Sequence, residues 1–263
     1  MEALKEFSWA DASDAWLKLN MEILKEQEAI KEYSTTDVSD ALLKLRSQGG
    51  NDDRERYSRQ AAGAIIGLTL QTQLQPGQKV IGRTYTVKFD DSNFSTLPSK
   101  GRMEDTDIPP GTHYIDHLPQ GSILVLQQPK NQDNACFGGI MALRAQMQGV
   151  QAVLVDGRIR DVEEMRQLGL PVYSTGTSIA GAGAGAGCKA RFINEAIHIG
   201  HNGIICPEDL LFIDTEGICV LNGDLNLGEL LAMLKKLSAQ EERVKEAVRA
   251  GMTVSEAFKK YRS

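Results

Sequence analysis

Apolar residues recur along the chain in two rhythms. Val38, Ala41, Leu42 and Leu45 fall at i, i+3, i+4 and i+7, the stripe of one buried helix face, and predict a helix over residues 34–48. Thr36 or Asp37 can cap its start, and Gly49-Gly50 ends it. Leu17, Met21, Leu24 and Ile30 suggest an earlier helix within residues 8–32. Asp11 to Leu19 parallels Asp37 to Leu45 at an offset of 26, and a single such pair is too short for a solenoid. Short β-forming runs follow: Val80 to Phe89, then Ile123 to Leu126. Between them, residues 90–112 are rich in Asp, Ser, Pro and Gly, a long connection of the kind that is usually functional or mobile. From residue 139 the texture alternates: a helix over 139–148, a continuously apolar strand over 152–156, a helix over 162–168 and a strand from Pro171. Continuous apolar strands belong to sheets buried on both faces. Residues 203–221 predict a hairpin region, Leu227 to Arg249 a long amphipathic helix, and the residues after Thr253 a short one. The pattern is α/β with several antiparallel strands.

The 263 residues carry 29 Lys and Arg against 35 Asp and Glu, a net charge of −6. That balance disfavours a general nucleic-acid binder. No run approaches the roughly 18 apolar residues of a membrane span, and the acidic N-terminus does not resemble a secretory signal or a mitochondrial presequence. A cytoplasmic protein is expected. Cys136, Cys188, Cys206 and Cys219 form no C-x-x-C pair and are expected to be free thiols.

Two glycine and histidine patterns invite chemistry without supporting it. Gly181-Ala-Gly-Ala-Gly-Ala-Gly187 lacks the spacing of a dinucleotide fingerprint and the Lys of a P-loop, and reads as a flexible loop. His198 and His201 have i, i+3 spacing but no third ligand nearby. The informative stretch is Phe137 to Asp161. Gly138-Gly139 opens a helix, whose first N–H groups can bind a carboxylate. The buried strand ends at Asp156-Gly157, followed by Arg158 and the pair Arg160-Asp161. Arg can clamp a carboxylate, and Asp can hold a hard cation. A structural alternative stands beside this: Asp161 and Glu164 also fit a helix-capping box, and Arg160 can pair with any acid.

These residues resemble the RraA-like family, which joins regulators of ribonuclease activity to class II 4-hydroxy-4-methyl-2-oxoglutarate / 4-carboxy-4-hydroxy-2-oxoadipate aldolases. The matching landmarks are Ser34 to Leu42, Gly82 to Val87, Phe137 to Ala142, Val155 to Asp161, Leu170 to Tyr173, Gly176 to Ser178 and Pro207 to Gly217. Residues 1–30 are not covered and are expected to be a helical extension before an RraA-like domain over 31–263. The resemblance implies a swivelling β/β/α fold, a homotrimer or hexamer with sites between subunits, and Mg²⁺- or Mn²⁺-dependent chemistry on a small 2-oxo acid. It implies that Asp161 carries the metal, that Arg160 binds the keto acid and stabilises its enolate, and that Gly138, Gly139, Ile140 and Met141 bind the substrate, the N–H groups of Ile140 and Met141 holding its carboxylate. A glutamate from a neighbour's C-terminal helix completes the aldolase site; Glu242, or Glu241, is the counterpart here. The aldolase pattern starts with an Asp where this chain has Gly139, so another acid, Asp133 or Asp156, is a candidate substitute. A Gly-Gly at this point is associated with a fungal-type branch. The expected activity is retro-aldol cleavage of 4-hydroxy-2-oxo acids, oxaloacetate decarboxylation, or both. The alternatives are a non-catalytic regulatory binder and a member turned to another pathway-specific substrate.

Overall fold

The computed structural model describes residues 24–48, 62–91, 107–182, 187–201, 203–222 and 225–262. The first copy of the 26-residue repeat, the charged 51–60 segment, most of the 90–112 connection and the centre of the Gly-Ala run lie outside them. The chain divides into two compact units, one of residues 1–50 with 225–263 and one of residues 51–224. The boundary expected at residue 30 falls inside the first of these. No helix among the described residues is long and apolar enough to cross a membrane.

In the first unit, residues 24–30 are helical (α1) and are followed by α2 (Thr35–Gln48). Val38, Ala41 and Leu42 are fully buried, as the stripe predicts. The cap is Ser34, two residues before the earlier of the expected candidates, Thr36. Ser34 Oγ accepts the Asp37 N–H at 3.1 Å, and the Asp37 carboxylate accepts the Ser34 N–H at 2.9 Å, a reciprocal pair that satisfies two helix-start donors.

The second unit is built on a nine-stranded sheet. Its centre is four parallel strands: β2 (Val80–Asp91), β3 (Ile123–Gln127), β5 (Ala152–Ile159) and β6 (Val172–Thr177). The two-residue β1 (Thr69–Leu70) adds antiparallel to β6 at one end. At the other, β10 (Leu210–Ile213) pairs antiparallel with β2 and with β11 (Ile218–Leu221). Short β4 (Ala135–Phe137) joins β5, and β7 (Cys188–Ile193) joins β2.

Alternation along the central strands serves two cores. Leu124, Leu126, Val153 and Val155 pack with Ala142, Ala145 and Met165 from the helices α3 (Gly139–Met147) and α4 (Val162–Gln167). Ile123, Val125, Ala152 and Leu154 face the opposite way, against Ile197, Ile205 and Leu211. With both faces covered, no polar positions are needed, which is why these strands read as unbroken apolar runs.

Two expectations are corrected. The strand expected to end at Asp156-Gly157 continues to Ile159, because Gln128 Oε1 accepts the Arg158 N–H at 2.9 Å and carries the ladder across a register shift on the β6 side. The expected 203–221 hairpin region is two pairings: β9 (Gly203–Ile205) pairs back with β8 (Ile197–Ile199), and only β10 and β11 form the predicted hairpin with each other.

The helices α5 (Leu227–Arg249) and α6 (Val254–Tyr261) match their expected spans in the first unit, the latter opened by a Thr253/Glu256 capping box. Leu154 sits fully buried in the two-faced sheet. Leu154→Ala is expected to cost about 2–5 kcal/mol, read from denaturant unfolding of the full chain.

Candidate functional site

The four parallel strands place their carboxyl ends on one edge, where sites of α/β folds collect. Arg160 and Asp161 follow directly from the end of β5, and Gly138 precedes α3 after β4. The Arg160 N–H donates to the Phe137 carbonyl at 3.0 Å, so the two chain segments run side by side. Together they line a cavity of about 870 Å³.

Asp161 has φ 61° and ψ 38°, the left-handed region that is costly for a residue with a Cβ, and it precedes α4 without capping it. Its carboxylate instead accepts the Gly139 N–H at 3.0 Å, the first free donor of α3. The same Oδ2 lies 3.4 Å from Arg160 Nε. The capping box that the sequence allows for Asp161 and Glu164 is therefore not made. A Cβ at Gly139 would fall 2.9 Å from the Glu164 carboxyl carbon and 3.3 Å from Asp161 Cβ. The Glu164 carboxylate thus occupies the space where a side chain at 139 would begin.

Of the expected site residues, Gly138, Gly139, Ile140, Met141, Arg160 and Asp161 all line this one cavity. The N–H groups of Ile140 and Met141, in the first turn of α3, have no hydrogen-bond partner among the described residues. Gly139's N–H is already taken by Asp161. Glu242, with Glu241, belongs to the other compact unit, where both pair with Lys245 at 3.1 and 3.3 Å. Asp133 and Asp156 do not line the cavity; Glu164 is the acid found against Gly139. Of the remaining patterns, His198 lies in β8, and His201 follows that strand with its N–H donated to the Ile66 carbonyl.

Sequence reasoning missed several parts of the wall. Glu164, which lies behind the lining against Gly139, was visible only as a helix-capping residue. Gly181 approaches the site closely: a Cβ there would lie 2.5 Å from Arg160 Nη1, so the glycine leaves room for the guanidinium. The Gly-Ala run, read as a bare loop, thus starts at the cavity wall. His113 and Tyr114 come from a 3₁₀ turn (Tyr114–His117) that no periodicity announced. His113 Nδ1 accepts the Ile115 N–H at 3.3 Å, which leaves Nε2 to carry the proton when the ring is neutral. Burial lowers its pKa, and nearby Asp116 opposes the shift. Cys136 and Cys188 also line the cavity, but burial pushes both thiols up, so they stay protonated and are poor nucleophiles.

The cavity thus joins a guanidinium, the Asp161 carboxylate and unpaired helix N–H groups, with the Glu164 carboxylate against Gly139 beside it. It can bind an anion and place a positive charge beside it. Sequence comparison gives the protein class: the RraA-like family, described as Aldolase/RraA, matches residues 35–220, and the chain belongs to it. Protein DlpA of Legionella pneumophila is 30% identical over 202 residues, covering 76% of this chain and 31% of its own. A putative 4-hydroxy-4-methyl-2-oxoglutarate aldolase of Halalkalibacterium halodurans is 27% identical over 139 residues, covering 52% of this chain and 63% of its own. The chain therefore spans less than two thirds of either relative. Among solved structures, Streptomyces coelicolor RraAS2, an unusual member of the RNase ES inhibitor RraA protein family, superposes with a TM-score of 0.58. It is 18% identical, with 86% of this chain and 96% of that one covered, and it shows a shared fold. The family thus holds proteins named as aldolases and proteins named as ribonuclease inhibitors.

The left-handed backbone at Asp161 gives a direct test. Asp161→Ala is expected to be less stable than Asp161→Gly by about 1 kcal/mol, since both lose the bond to Gly139 and only alanine keeps the backbone cost. Equal urea midpoints for the two variants would remove that account.

Proposed function

We propose that this chain is a divalent-cation-dependent lyase that cleaves a C–C bond of a 2-oxo acid in the cavity at Arg160-Asp161. The observation that carries this reading is the convergence of Arg160, Asp161 and the open N–H groups of Ile140 and Met141 on one wall. Among the described residues no three His, Cys, Asp or Glu side chains converge as a metal cage. That disfavours an ion held by protein alone but suits Mg²⁺ or Mn²⁺, which bind through one or two carboxylates and keep several waters. Asp161, with Glu164 beside it, is the donor set for such an ion. When bound, it supplies Lewis-acid charge at the 2-oxo oxygen of the substrate.

The chain's own residues do the rest. The N–H groups of Ile140 and Met141 bind the substrate carboxylate at the positive end of α3. Arg160 stabilises the negative charge that grows on the 2-oxo oxygen as the C3–C4 bond breaks and its electron pair moves toward C2. In a retro-aldol cleavage the 4-hydroxyl gives up its proton as the new carbonyl forms, and C3 takes one to release pyruvate. The Glu164 side chain makes no hydrogen bond among the described residues, unlike Asp161, and it lies against Gly139, where the aldolase pattern carries its first Asp; it is assigned to hold that proton.

A second reading, a regulatory binder without chemistry, has its own support. Ile140, Leu143 and Met147 form an exposed apolar stripe at i, i+3 and i+7 on α3. The same stripe suits the subunit contact of a homotrimer or hexamer, with Glu242 of a neighbour reaching the site. A cytoplasmic setting is consistent with either reading.

Pyruvate release from oxaloacetate and from 4-hydroxy-4-methyl-2-oxoglutarate, with Mg²⁺ or Mn²⁺ and then with EDTA, tests the choice. Arg160→Ala and Asp161→Ala are each expected to lower kcat/KM by about 100-fold or more, and Glu164→Gln by about 10- to 100-fold. Turnover no higher than the metal-only background would overturn the lyase reading in favour of the binder.

A further inference from the structure

Strand β5 leaves regular pairing just before it reaches the cavity. From Val155 to Arg158 it takes three steps while β6 takes two, from Ser174 to Gly176, so β5 carries one extra residue at Asp156-Gly157. Strand β4 is irregular at the same level: Ala135 and Phe137, two residues apart, face the consecutive Arg158 and Ile159. Side chains alternate between the faces of a sheet, so one inserted residue reverses the face that every later residue presents. Bulges next to active sites re-aim side chains in this way. Here the two irregularities stand just before Arg160-Asp161 on one segment and Gly138-Gly139 on the other, residues that share the cavity wall.

Gln128 follows β3, is 4% exposed, and is not part of that wall. Its carboxamide bonds both irregular segments at once. Oε1 accepts the Arg158 N–H at 2.9 Å, and Nε2 donates to the Asn134 carbonyl at 2.6 Å, with Cys188 Sγ of β7 at 3.6 Å. Arg158 is two residues before Arg160, and Asn134 is four before Gly138. Gly157 admits the amide: a Cβ there would lie 2.6 Å from Gln128 Cβ and 3.1 Å from its Cδ. One bond needs an acceptor and the other a donor, and among side chains of this length the neutral glutamine offers both.

We propose that Gln128 is a positioning residue of the cavity: its carboxamide holds the irregular pairing of β4 with β5, and so sets where the Arg160 guanidinium stands against the charge that develops on the substrate. It acts through Arg158 and Asn134, without touching the substrate. This rests on the reading of the cavity as a 2-oxo-acid lyase site.

The test compares the full chain with Gln128→Met and Gln128→Glu, in the presence of Mg²⁺. Pyruvate release from oxaloacetate is corrected for the metal-only background. Melting temperature is recorded at every pH, and kinetics are run well below it. Methionine fills a similar volume and makes neither bond. Glutamate makes both while protonated, its O–H donating to Asn134 and its carbonyl accepting from Arg158, and loses the donor on ionising. Burial raises the pKa of such a carboxyl; of the titratable groups around it, burial keeps the Cys188 thiol protonated, and the Asp91 carboxylate that acts on this thiol pushes in the same direction.

Gln128→Met is expected to lower kcat by about 10- to 100-fold with KM within about threefold, since Arg160 acts as charge develops while Ile140 and Met141 bind the carboxylate. Gln128→Glu should keep kcat within about threefold of the wild type near about pH 5.5 and fall to the methionine value by about pH 8.5. A residue that serves folding only would lower the melting temperature of both variants and leave the kcat of the folded enzyme and its pH profile unchanged; that result overturns the assignment. A loss in Gln128→Glu that is equal at every pH also overturns it. If Gln128→Met does not fold, the pH profile of Gln128→Glu decides. A wild type without turnover above the background would overturn the lyase reading itself, and the assignment with it.

Discussion

The bond from the Gly139 N–H to the Asp161 carboxylate ties the start of one helix to the turn that begins the next. Everything at the site follows from it. It draws Asp161 away from capping its own helix and holds the backbone in a left-handed conformation. It brings Arg160 alongside Phe137 and leaves the next two N–H groups of α3 open to the cavity. Strain and forfeited local bonding of this kind persist where the surrounding structure over-determines them. Here the determinant is a parallel sheet packed on both faces, which fixes the ends of β4 and β5 relative to each other.

Much of this was legible in the residues, for identifiable reasons. Helix α5 has strong 3.6-residue periodicity and capping chemistry, and its span matches expectation. The central strands were visible because burial on both faces leaves an unbroken apolar run. Short elements were not: β4 has three residues and the 3₁₀ turn at Tyr114 has four, too few for any period to repeat. The end of β5 was misplaced because Asp156-Gly157 looks like a turn, and only the distant Gln128 keeps it in the sheet. At the site, residues within one stretch were found together, whereas Glu164 was masked by a local explanation that the fold does not use. No pattern in the chain distinguishes a capping glutamate from one recruited by the neighbouring helix.

Position 139 brings together a glycine of one helix and a glutamate of the next. A glycine beside the first turn of α3 opens space, and a glutamate one element away enters that space. Asp161 stays beside Arg160, and Glu164 stands against Gly139, where the aldolase pattern carries its first acid.

The strand pairing also governs when the cavity can exist during folding. Arg83 in β2 faces Leu210 in β10, and Lys88 faces Phe192 in β7, so β2 must find partners more than a hundred residues further along the chain. Closing loops of that size precedes any reward from the contacts they create, which makes such pairings late and slow. Phe89 lies on β2, and Cys188 to Ala190 on β7, all in the cavity wall. A newly made chain can therefore form its local helices early while still lacking a binding site, and the time to competence is set by β2 rather than by the residues that do the chemistry.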